Sequence, residues 1–332
     1  MIPEGTRVLV TGGTGLTGSY VLRELCRHKL DVHAIVRDPK KTGPFDQLPI
    51  TWHVGQVYDQ AVVRDAMEGT RVVLHIAAAY REPGIKDQQY VDVHVLSTQL
   101  LAEAALAQPG FQRFVHVSTV GVHGHIEHPP ADESAPFAPG DVYQRTKAEA
   151  EIWIRALARD RVLPCAVIRP AGIYGPGDKR LLKVFKLAAK PVFPILGHGK
   201  CLYHLIHAED LARAIITAGN HPEALGEVFI CGDPEPVSLE WMGRIIADEL
   251  KHPLRVLRLP VGPFMVAAHV CEAVCKPLGI APPLYPRRVA FFTKDRAFNT
   301  AKLRERLGFT YLHTTEQGLR ETTRWYREQG WL

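Results

Sequence analysis

The chain has 332 residues, of which 46% are hydrophobic and 23% charged, a composition typical of a folded, soluble protein with one or two domains. Its net charge of +5 comes from basic residues interspersed with acids, so nucleic-acid binding is not indicated. The six cysteines show no CxxC spacing, and reduced thiols are expected. The N-terminus enters a predicted strand without a basic and apolar leader, which predicts a cytoplasmic location by default.

Short apolar runs alternate with amphipathic segments through the first half of the chain: RVLV, DVHAIV, RVVLHIA, RFVHVST and PCAVIRP. This alternation predicts an α/β fold with a doubly wound parallel sheet of the Rossmann type. The rhythm breaks into a Gly/Pro-rich region after Pro170, resumes, and breaks again after Leu250. We therefore predict a dinucleotide-binding domain of residues 1–170 and 203–235, and a smaller C-terminal substrate-binding domain of residues 171–202 and 236–332.

A glycine-rich turn follows the first predicted strand and precedes a predicted helix. Gly12, Gly15 and Gly18 have the spacing TGxxGxxG. Glycine lets the backbone turn sharply and approach a pyrophosphate, whose charge then meets the helix N-terminus. The predicted cofactor contacts of this turn are Gly12, Thr14, Gly15 and Leu16.

The end of the second predicted strand bears on which dinucleotide binds. Arg37 directly follows its last apolar position, and Lys40 and Lys41 are close by. An acid here would bind the ribose hydroxyls of NAD, whereas an arginine accommodates the 2′-phosphate of NADP. The pattern favours NADP(H), and Asp38 leaves NAD(H) open.

The stretch GDVYQRTKAEAE, residues 140–151, places Tyr143 one helical turn ahead of Lys147. Ala150, Ile154 and Leu157 define the apolar stripe of this predicted helix, and the stripe extended backwards runs through Tyr143 and Lys147. An inward-facing ammonium is costly to desolvate unless a group elsewhere in the chain pairs with it.

With TGxxGxxG near its start and YxxxK in its middle, the sequence resembles the extended short-chain dehydrogenase/reductase family, the NAD-dependent epimerases and dehydratases, over nearly its whole length. The resemblance implies that Tyr143 moves the hydroxyl proton, while Lys147 lowers the tyrosine pKa and binds the nicotinamide ribose. Thr119, in STVGVHG, would orient the substrate oxygen, with Ser118 as the fallback candidate. His123 stands where the family usually has a tyrosine.

The resemblance also implies cofactor contacts in three further segments, which are LHIAA, GQVYD and RPAGIYGPG. Gln56 stands in place of an aspartate that commonly holds the adenine. Asp92, in VDVHVLST, stands where the family usually has an asparagine. The contacts implied are Gln56, Val57, Ala77, Ala78, Pro170, Gly172 and Ile173, in addition to Tyr143 and Lys147.

The substrate is indicated by two departures from the nucleotide-sugar enzymes of the family. Gly172 and Tyr203 stand where, or about one position from where, those enzymes carry an asparagine and an arginine near the sugar diphosphate. The chain looks closer to the 3β-hydroxysteroid dehydrogenase and dihydroflavonol reductase branch, which acts on bulky, largely apolar alcohols and ketones. We expect the apolar segments 183–196 and 261–270 to cover such a substrate.

The predicted function is therefore an NAD(P)-dependent oxidoreductase that interconverts a secondary alcohol and a ketone by hydride transfer. The alternative is a UDP-sugar 4-epimerase with tightly bound NAD. A third hypothesis is a redox-sensing binding protein, against which the intact set of Thr119, Tyr143 and Lys147 argues because a sensor needs none of them.

Other partners are not favoured by the sequence. His123, His125 and His128 cluster on a Pro-bounded loop without a zinc-binding framework, so we predict no metal site. The apolar segment 261–275 is shorter than the ~20 residues of a membrane span, and a packed helix or lid is favoured over membrane contact. A small-molecule substrate is the expected partner, and a homodimer is left open.

Overall fold

The computed structural model describes residues 2–80, 84–277, 280, 282–286, 289 and 292–332. Its central element is a seven-stranded, fully parallel sheet. The strands are β1 (Arg7–Thr11), β2 (Asp31–Val36), β3 (Ile50–Val54), β4 (Val72–His75), β5 (Arg113–Val117), β6 (Cys165–Pro170) and β11 (Val228–Cys231). They are arranged in the order β3-β2-β1-β4-β5-β6-β11. From β1, the chain first adds strands on one side, up to β3, and then adds β4 and the later strands on the other side. The predicted doubly wound α/β fold is confirmed.

The helices are α1 (Leu16–Arg27), α2 (Gln60–Met67), α3 (Asp87–Val91), α4 (Ser97–Leu106), α5 (Val142–Arg161), α6 (Leu182–Ala188), α7 (Ala208–Ala218), α8 (Leu239–Glu249), α9 (Val261–Cys275), α10 (Ala301–Leu307) and α11 (Thr315–Glu328). A π-helical segment, Asp92–Leu96, lies between α3 and α4.

Helices cover both faces of the sheet. On one face α1 and α7 pack together over a core that includes Val10, Leu22 and Ile215. On the other face α2, α4 and α5 pack over a core that includes Phe114 and Ile154. Because the inner strands are buried on both faces, they read in the sequence as continuous apolar runs rather than as alternating patterns.

A smaller unit is built from short strands and helices of the second half of the chain. Its strand pairs are β7 (Gly172–Tyr174) with β10 (Leu205–His207), β8 (Val192–Leu196) with β13 (Arg255–Leu259), and β9 (Leu202–Tyr203) with β12 (Val237–Ser238). Helices α6, α8 and α11 enclose a third core that contains Phe185, Phe193 and Met242. Tyr203 and Leu205, which lie next to a predicted domain boundary, also contribute side chains to this core.

Of the two apolar segments expected to cover the substrate, the first packs in a core and the second is largely exposed. Phe185, Phe193 and Ile195 are at most 1% exposed and belong to the third core. In α9 only Ala268 is buried, while Val266 and Val270 are 65% and 58% exposed, so this segment is not a packed helix, and the lid stays an expectation. Among the described residues, none of the helices combines the length and apolar character that crossing a bilayer requires.

Candidate functional site

The predicted site residues follow the carboxyl ends of neighbouring parallel strands, where this class of sheet binds its ligands. The turn after β1 carries the glycines, and β4 leads into the segment with Ala77 and Ala78. Predicted site residues also follow the other strands: Arg37 follows β2, Gln56 and Val57 follow β3, and Thr119 follows β5. Pro170 ends β6, and Gly172 and Ile173 lie in β7. The fold thus gathers residues from six segments at one edge of the sheet.

The glycine turn is shaped so that a larger residue cannot replace Gly12 or Gly18 unless the backbone shifts. Gly12 has a φ of +73°, and a Cβ there would lie 2.8 Å from the backbone nitrogen of Ala77. A Cβ on Gly18 would lie 2.7 Å from the Cα of Gly13. Gly15 is the N-cap of α1 and supplies no side-chain cap, so the N–H groups of the first turn are left for another acceptor. This cradle fits the pyrophosphate of a dinucleotide.

Thr11 joins the glycine turn to the segment after β4. Its hydroxyl oxygen accepts from the backbone N–H groups of Ile76 and Ala77, both at 3.2 Å, and it lies 2.7 Å from Nδ1 of His75. The hydroxyl therefore donates to His75, whose other ring nitrogen lies 3.1 Å from Oγ1 of Thr98. Burial lowers the pKa of His75 to about 3, so this buried link stays neutral.

The end of β2 exposes Arg37, while Asp38 is half-buried. One carboxylate oxygen of Asp38 accepts from the backbone N–H of Lys40 at 3.1 Å and caps the short turn Pro39–Lys41. One oxygen of Asp38 is thereby held by the local backbone, and Arg37 extends from the strand end toward solvent.

Thr119 lies directly after β5 and caps the turn Val120–His123. Its Oγ1 accepts from the N–H of Gly121 at 3.0 Å, which leaves the hydroxyl proton to be donated. Ser118, the fallback candidate, is only 4% exposed, and its hydroxyl has no hydrogen-bond partner among the described residues. The side chain of Thr119 is therefore more accessible at this strand end than that of Ser118.

Lys147 is almost completely buried on α5. Its Nζ donates to the carbonyl oxygen of Val117 at 2.6 Å, two residues before Thr119. The partner expected for the inward-facing ammonium is therefore a backbone carbonyl. Burial lowers the pKa of Lys147 to about 8, opposed by the negative charge of Glu151 one turn later.

Tyr143 is half-buried in the first turn of α5, whose N-cap Asp141 accepts from the N–H of Gln144 at 2.7 Å. The tyrosine ring meets the ring of His94 edge to face, with centroids 5.4 Å apart. Tyr80 approaches the same ring at 5.7 Å. Tyr143 is thus held in an aromatic setting on two sides.

His94 is a site residue that the sequence analysis missed. It is fully buried, whereas Asp92 accepts a hydrogen bond from Gln88 on the exposed side of the segment. His94 lies 2.8 Å from Oγ1 of Thr146 and accepts from the N–H of Ala79 at 3.0 Å. The polar side chain that faces the interior from this segment is the histidine two positions later than Asp92.

The side chain of His123 is buried and is held by contacts with neighbouring residues. It lies 3.2 Å from the carbonyl oxygen of Pro136 and accepts from Arg169 at 3.0 Å, and its ring stacks on Phe137. His125 and His128 are exposed, so the loop does not bring the three histidines into one buried site.

A different group of potential metal ligands comes from the end of β10, the first turn of α7 and the segment that leads into α11. Ligand atoms of His207, Asp210 and His313 are all within 4.8 Å of one another. Nδ1 of His207 accepts from the N–H of Glu209 at 3.4 Å, which places the proton of the neutral ring on the buried Nε2. In that tautomer Nε2 has no lone pair for a cation, so we assign the group to the packing of α7.

The sequence profile of the family described as NAD dependent epimerase/dehydratase matches residues 8–232. The 3beta-hydroxysteroid-dehydrogenase/decarboxylase isoform 2 of Arabidopsis thaliana is 30% identical over 348 residues, which cover 95% of this chain and 61% of that protein. This chain therefore spans less than two thirds of the length of that relative. The decarboxylating sterol-4-alpha-carboxylate 3-dehydrogenase of Saccharomyces cerevisiae is 29% identical, with 97% and 98% covered.

A solved structure shares the fold. The dTDP-glucose 4,6-dehydratase of Bacillus anthracis in complex with NAD has a TM-score of 0.74 at 20% identity, with 97% of each chain covered. Together with the profile match, the glycine cradle and the YxxxK helix, this confirms the resemblance inferred from the motifs. The chain belongs to the NAD-dependent epimerase/dehydratase family, within the extended short-chain dehydrogenases/reductases, and is an enzyme of that family.

Proposed function

We propose that the enzyme interconverts a secondary alcohol and a ketone on a bulky, largely apolar substrate, using NAD(P) and the set Thr119, Tyr143 and Lys147. The observation that carries the proposal is the bond from Lys147 to the carbonyl oxygen of Val117. It holds the lysine of α5 against the strand end that presents Thr119, so the two halves of the predicted catalytic set share one support.

The bound nicotinamide would accept or supply the hydride. In the oxidation direction the phenolate of Tyr143 takes the proton of the substrate hydroxyl, while Thr119 donates a hydrogen bond to the same oxygen. The ammonium of Lys147 favours the phenolate by its positive charge. In the reduction direction Tyr143 returns the proton to the carbonyl oxygen. Each step moves one proton between Tyr143 and the substrate.

The choice of cofactor rests on the end of β2. Arg37 is exposed there, and Lys40 and Lys41 follow it, whereas a carboxylate oxygen of Asp38 is engaged with the backbone of Lys40. This arrangement supports NADP(H) as the preferred cofactor. Binding of the ribose hydroxyls of NAD(H) would depend on the other carboxylate oxygen of Asp38.

The substrate class is supported by the sterol and steroid dehydrogenases among the relatives and by Gly172. Because it is a glycine, Gly172 offers no polar side chain to a diphosphate, and a Cβ there would lie 3.1 Å from the carbonyl oxygen of His204. The alternative, a UDP-sugar 4-epimerase, is supported by a relative of that name from Vibrio cholerae, which is 28% identical. It is also supported by the guanidinium of Arg296, 5.6 Å from the ring of Tyr203, where an arginine is usual in such enzymes.

The test is a substrate screen with steroid alcohols, cyclic ketones and UDP-sugars, in which the absorbance of the reduced nicotinamide is followed with each cofactor. We expect turnover with a hydrophobic cyclic alcohol or ketone. Tyr143→Phe should lose about 10²–10⁴-fold in turnover and keep its cofactor affinity. Inversion of a UDP-sugar without net cofactor turnover, with NAD co-purifying, would establish the epimerase instead.

A further inference from the structure

His94 connects three parts of the site that are distant in sequence. Its ring nitrogens contact Ala79, which follows the cofactor-flanking Ala77 and Ala78, and Thr146 on α5. Its ring edge contacts the ring of Tyr143. The side chain is fully buried, so its position is set by these contacts rather than by solvent.

The hydrogen bonds around His94 form a chain with one direction. The N–H of Ala79 donates to Nε2, so the neutral ring carries its proton on Nδ1 and donates it to Oγ1 of Thr146 at 2.8 Å. The hydroxyl of Thr146 donates in turn to the carbonyl oxygen of Val142 at 2.9 Å. The chain begins beside the cofactor segment and ends at the residue before Tyr143.

The neutral state of His94 is supported by its surroundings. Burial lowers the pKa of His94 to about 2, and the positive charge of Lys147 adds to this effect. The pKa values of two other buried histidines, His75 and His116, are lowered by the same two causes. Protonation of His94 on Nε2 would break the bond from the N–H of Ala79, so the observed contacts require the neutral ring.

The backbone around His94 is also unusual. Asp92–Leu96 is π-helical, a form that often occurs at functional sites. The hydroxyls of Ser97 and Thr98 donate to the carbonyl oxygens of Val93 and His94, both at 2.6 Å. These bonds satisfy carbonyl groups of the π-helical segment and hold the histidine in place.

We propose that His94 is a positioning residue for this active site, which holds the phenol of Tyr143 and the Ala77–Ala79 segment in register through Thr146. This rests on the proposed function, since it assigns Tyr143 the proton transfer. His94 itself carries no proton to the substrate. It sets the distance between the proton carrier and the segment beside the cofactor.

The test compares His94→Phe, which keeps a ring without its nitrogens, with His116→Phe. His116 is the matched control because it is equally buried on β5, and neither of its ring nitrogens has a hydrogen-bond partner among the described residues. We expect His94→Phe to lower kcat by about tenfold to a hundredfold and to weaken cofactor binding, while KM for the substrate changes little. His116→Phe should keep kcat and the cofactor affinity near those of the wild type.

Two further variants separate positioning from general loss of packing. His94→Gln restores one acceptor and one donor, and we expect it to recover most of the activity. Thr146→Val breaks only the link to α5, and the double variant with His94→Phe should lose little more than His94→Phe alone. The alkaline and acid limbs of the pH profile should keep their positions in every variant, because His94 does not titrate in that range.

The inference is wrong if His94→Phe and Thr146→Val both retain wild-type kcat and cofactor affinity, or if His116→Phe causes the same loss as His94→Phe. If His94→Phe does not fold, the Thr146→Val and His94→Gln measurements decide the question. Failure of the proposed function gives a different result, namely turnover that survives Tyr143→Phe.

Discussion

Arg169 on β6 and Glu151 on α5 form an ion pair inside the protein, with Nη2 of the arginine 2.5 Å from Oε1 of the glutamate and side-chain exposures of 1% and 0%. The guanidinium also donates to His123 and to the carbonyl oxygen of Glu133. The pair ties the helix that carries Tyr143 and Lys147 to the strand that ends at Pro170.

Glu151→Gln should strongly destabilise the fold, because it leaves the buried charge of Arg169 without its counter-charge. A broken buried pair costs about 3–5 kcal/mol, which denaturant unfolding would measure. Glu103→Gln is the control, since its ion pair with Arg161 is about half exposed on both sides. That change should cost at most about 1 kcal/mol. Equal losses in the two variants would contradict the role assigned to the buried pair.

Lys147 should make stability depend on pH in the alkaline range. Its pKa is about 8 in the folded chain and 10.5 ordinarily, so between these values the unfolded chain binds more protons than the folded chain. The free energy of unfolding of the wild type, relative to Lys147→Met, should therefore rise across this window by at most about 1.4 kcal/mol per pH unit. Relative to Lys147→Met, the loss of stability that burial of the Lys147 charge causes in the wild type is greatest below this pH window.

The measurement is denaturant unfolding of the wild type and Lys147→Met at several pH values across that window. Lys276→Met serves as the control because the side chain of Lys276 is 69% exposed. If the difference in the free energy of unfolding between the wild type and Lys147→Met stays constant with pH, the pKa of Lys147 is not shifted. Glu151→Gln should extend the lower limit of this window to lower pH, because Glu151 opposes the lowering of the Lys147 pKa in the folded chain.

Arg37→Ala should weaken NADP binding far more than NAD binding. A charge-assisted contact with the 2′-phosphate is worth about 1.5–3 kcal/mol, and NAD has no group to meet it. Titration calorimetry with both cofactors measures the difference. Asp38→Asn keeps an oxygen for the N–H of Lys40 and should leave NADP affinity near the wild-type value. A larger effect of Asp38→Asn on NAD than of Arg37→Ala on NADP would show that Asp38 governs the ribose.

Gly18→Ala should impair cofactor binding, because the added Cβ would lie 2.7 Å from the Cα of Gly13 and force the turn open. Overpacking of this kind costs about 1–3 kcal/mol, and we expect a cofactor affinity at least about tenfold lower. Gly43→Ala is the control, since a Cβ there has no neighbouring atom within 4 Å. Wild-type affinity in Gly18→Ala would mean that the turn does not contact the cofactor.

Local patterns in the sequence predicted the parts of this protein that depend on residues close together in the chain. The apolar runs predicted the parallel strands, because strands buried on both faces have few polar positions. The spacing of Gly12, Gly15 and Gly18 predicted the turn between β1 and α1. The four-residue interval from Tyr143 to Lys147 predicted that both lie on the inward face of α5.

Contacts between distant segments were decided by the tertiary structure alone. The partner of Lys147 is the backbone carbonyl of Val117, and no residue type in the sequence marks a carbonyl as a partner. Asp92, which stands where the family usually has an asparagine, is half-buried and accepts from Gln88, whereas His94 in the same π-helical segment is fully buried. The same segment directs His94 to Ala79 and Thr146, two contacts that exist only once the strand and helix ends meet. Apolar periodicity reports that a segment is buried but not against what, and for this reason Phe185 and Phe193 were assigned to the substrate and pack instead in the third core.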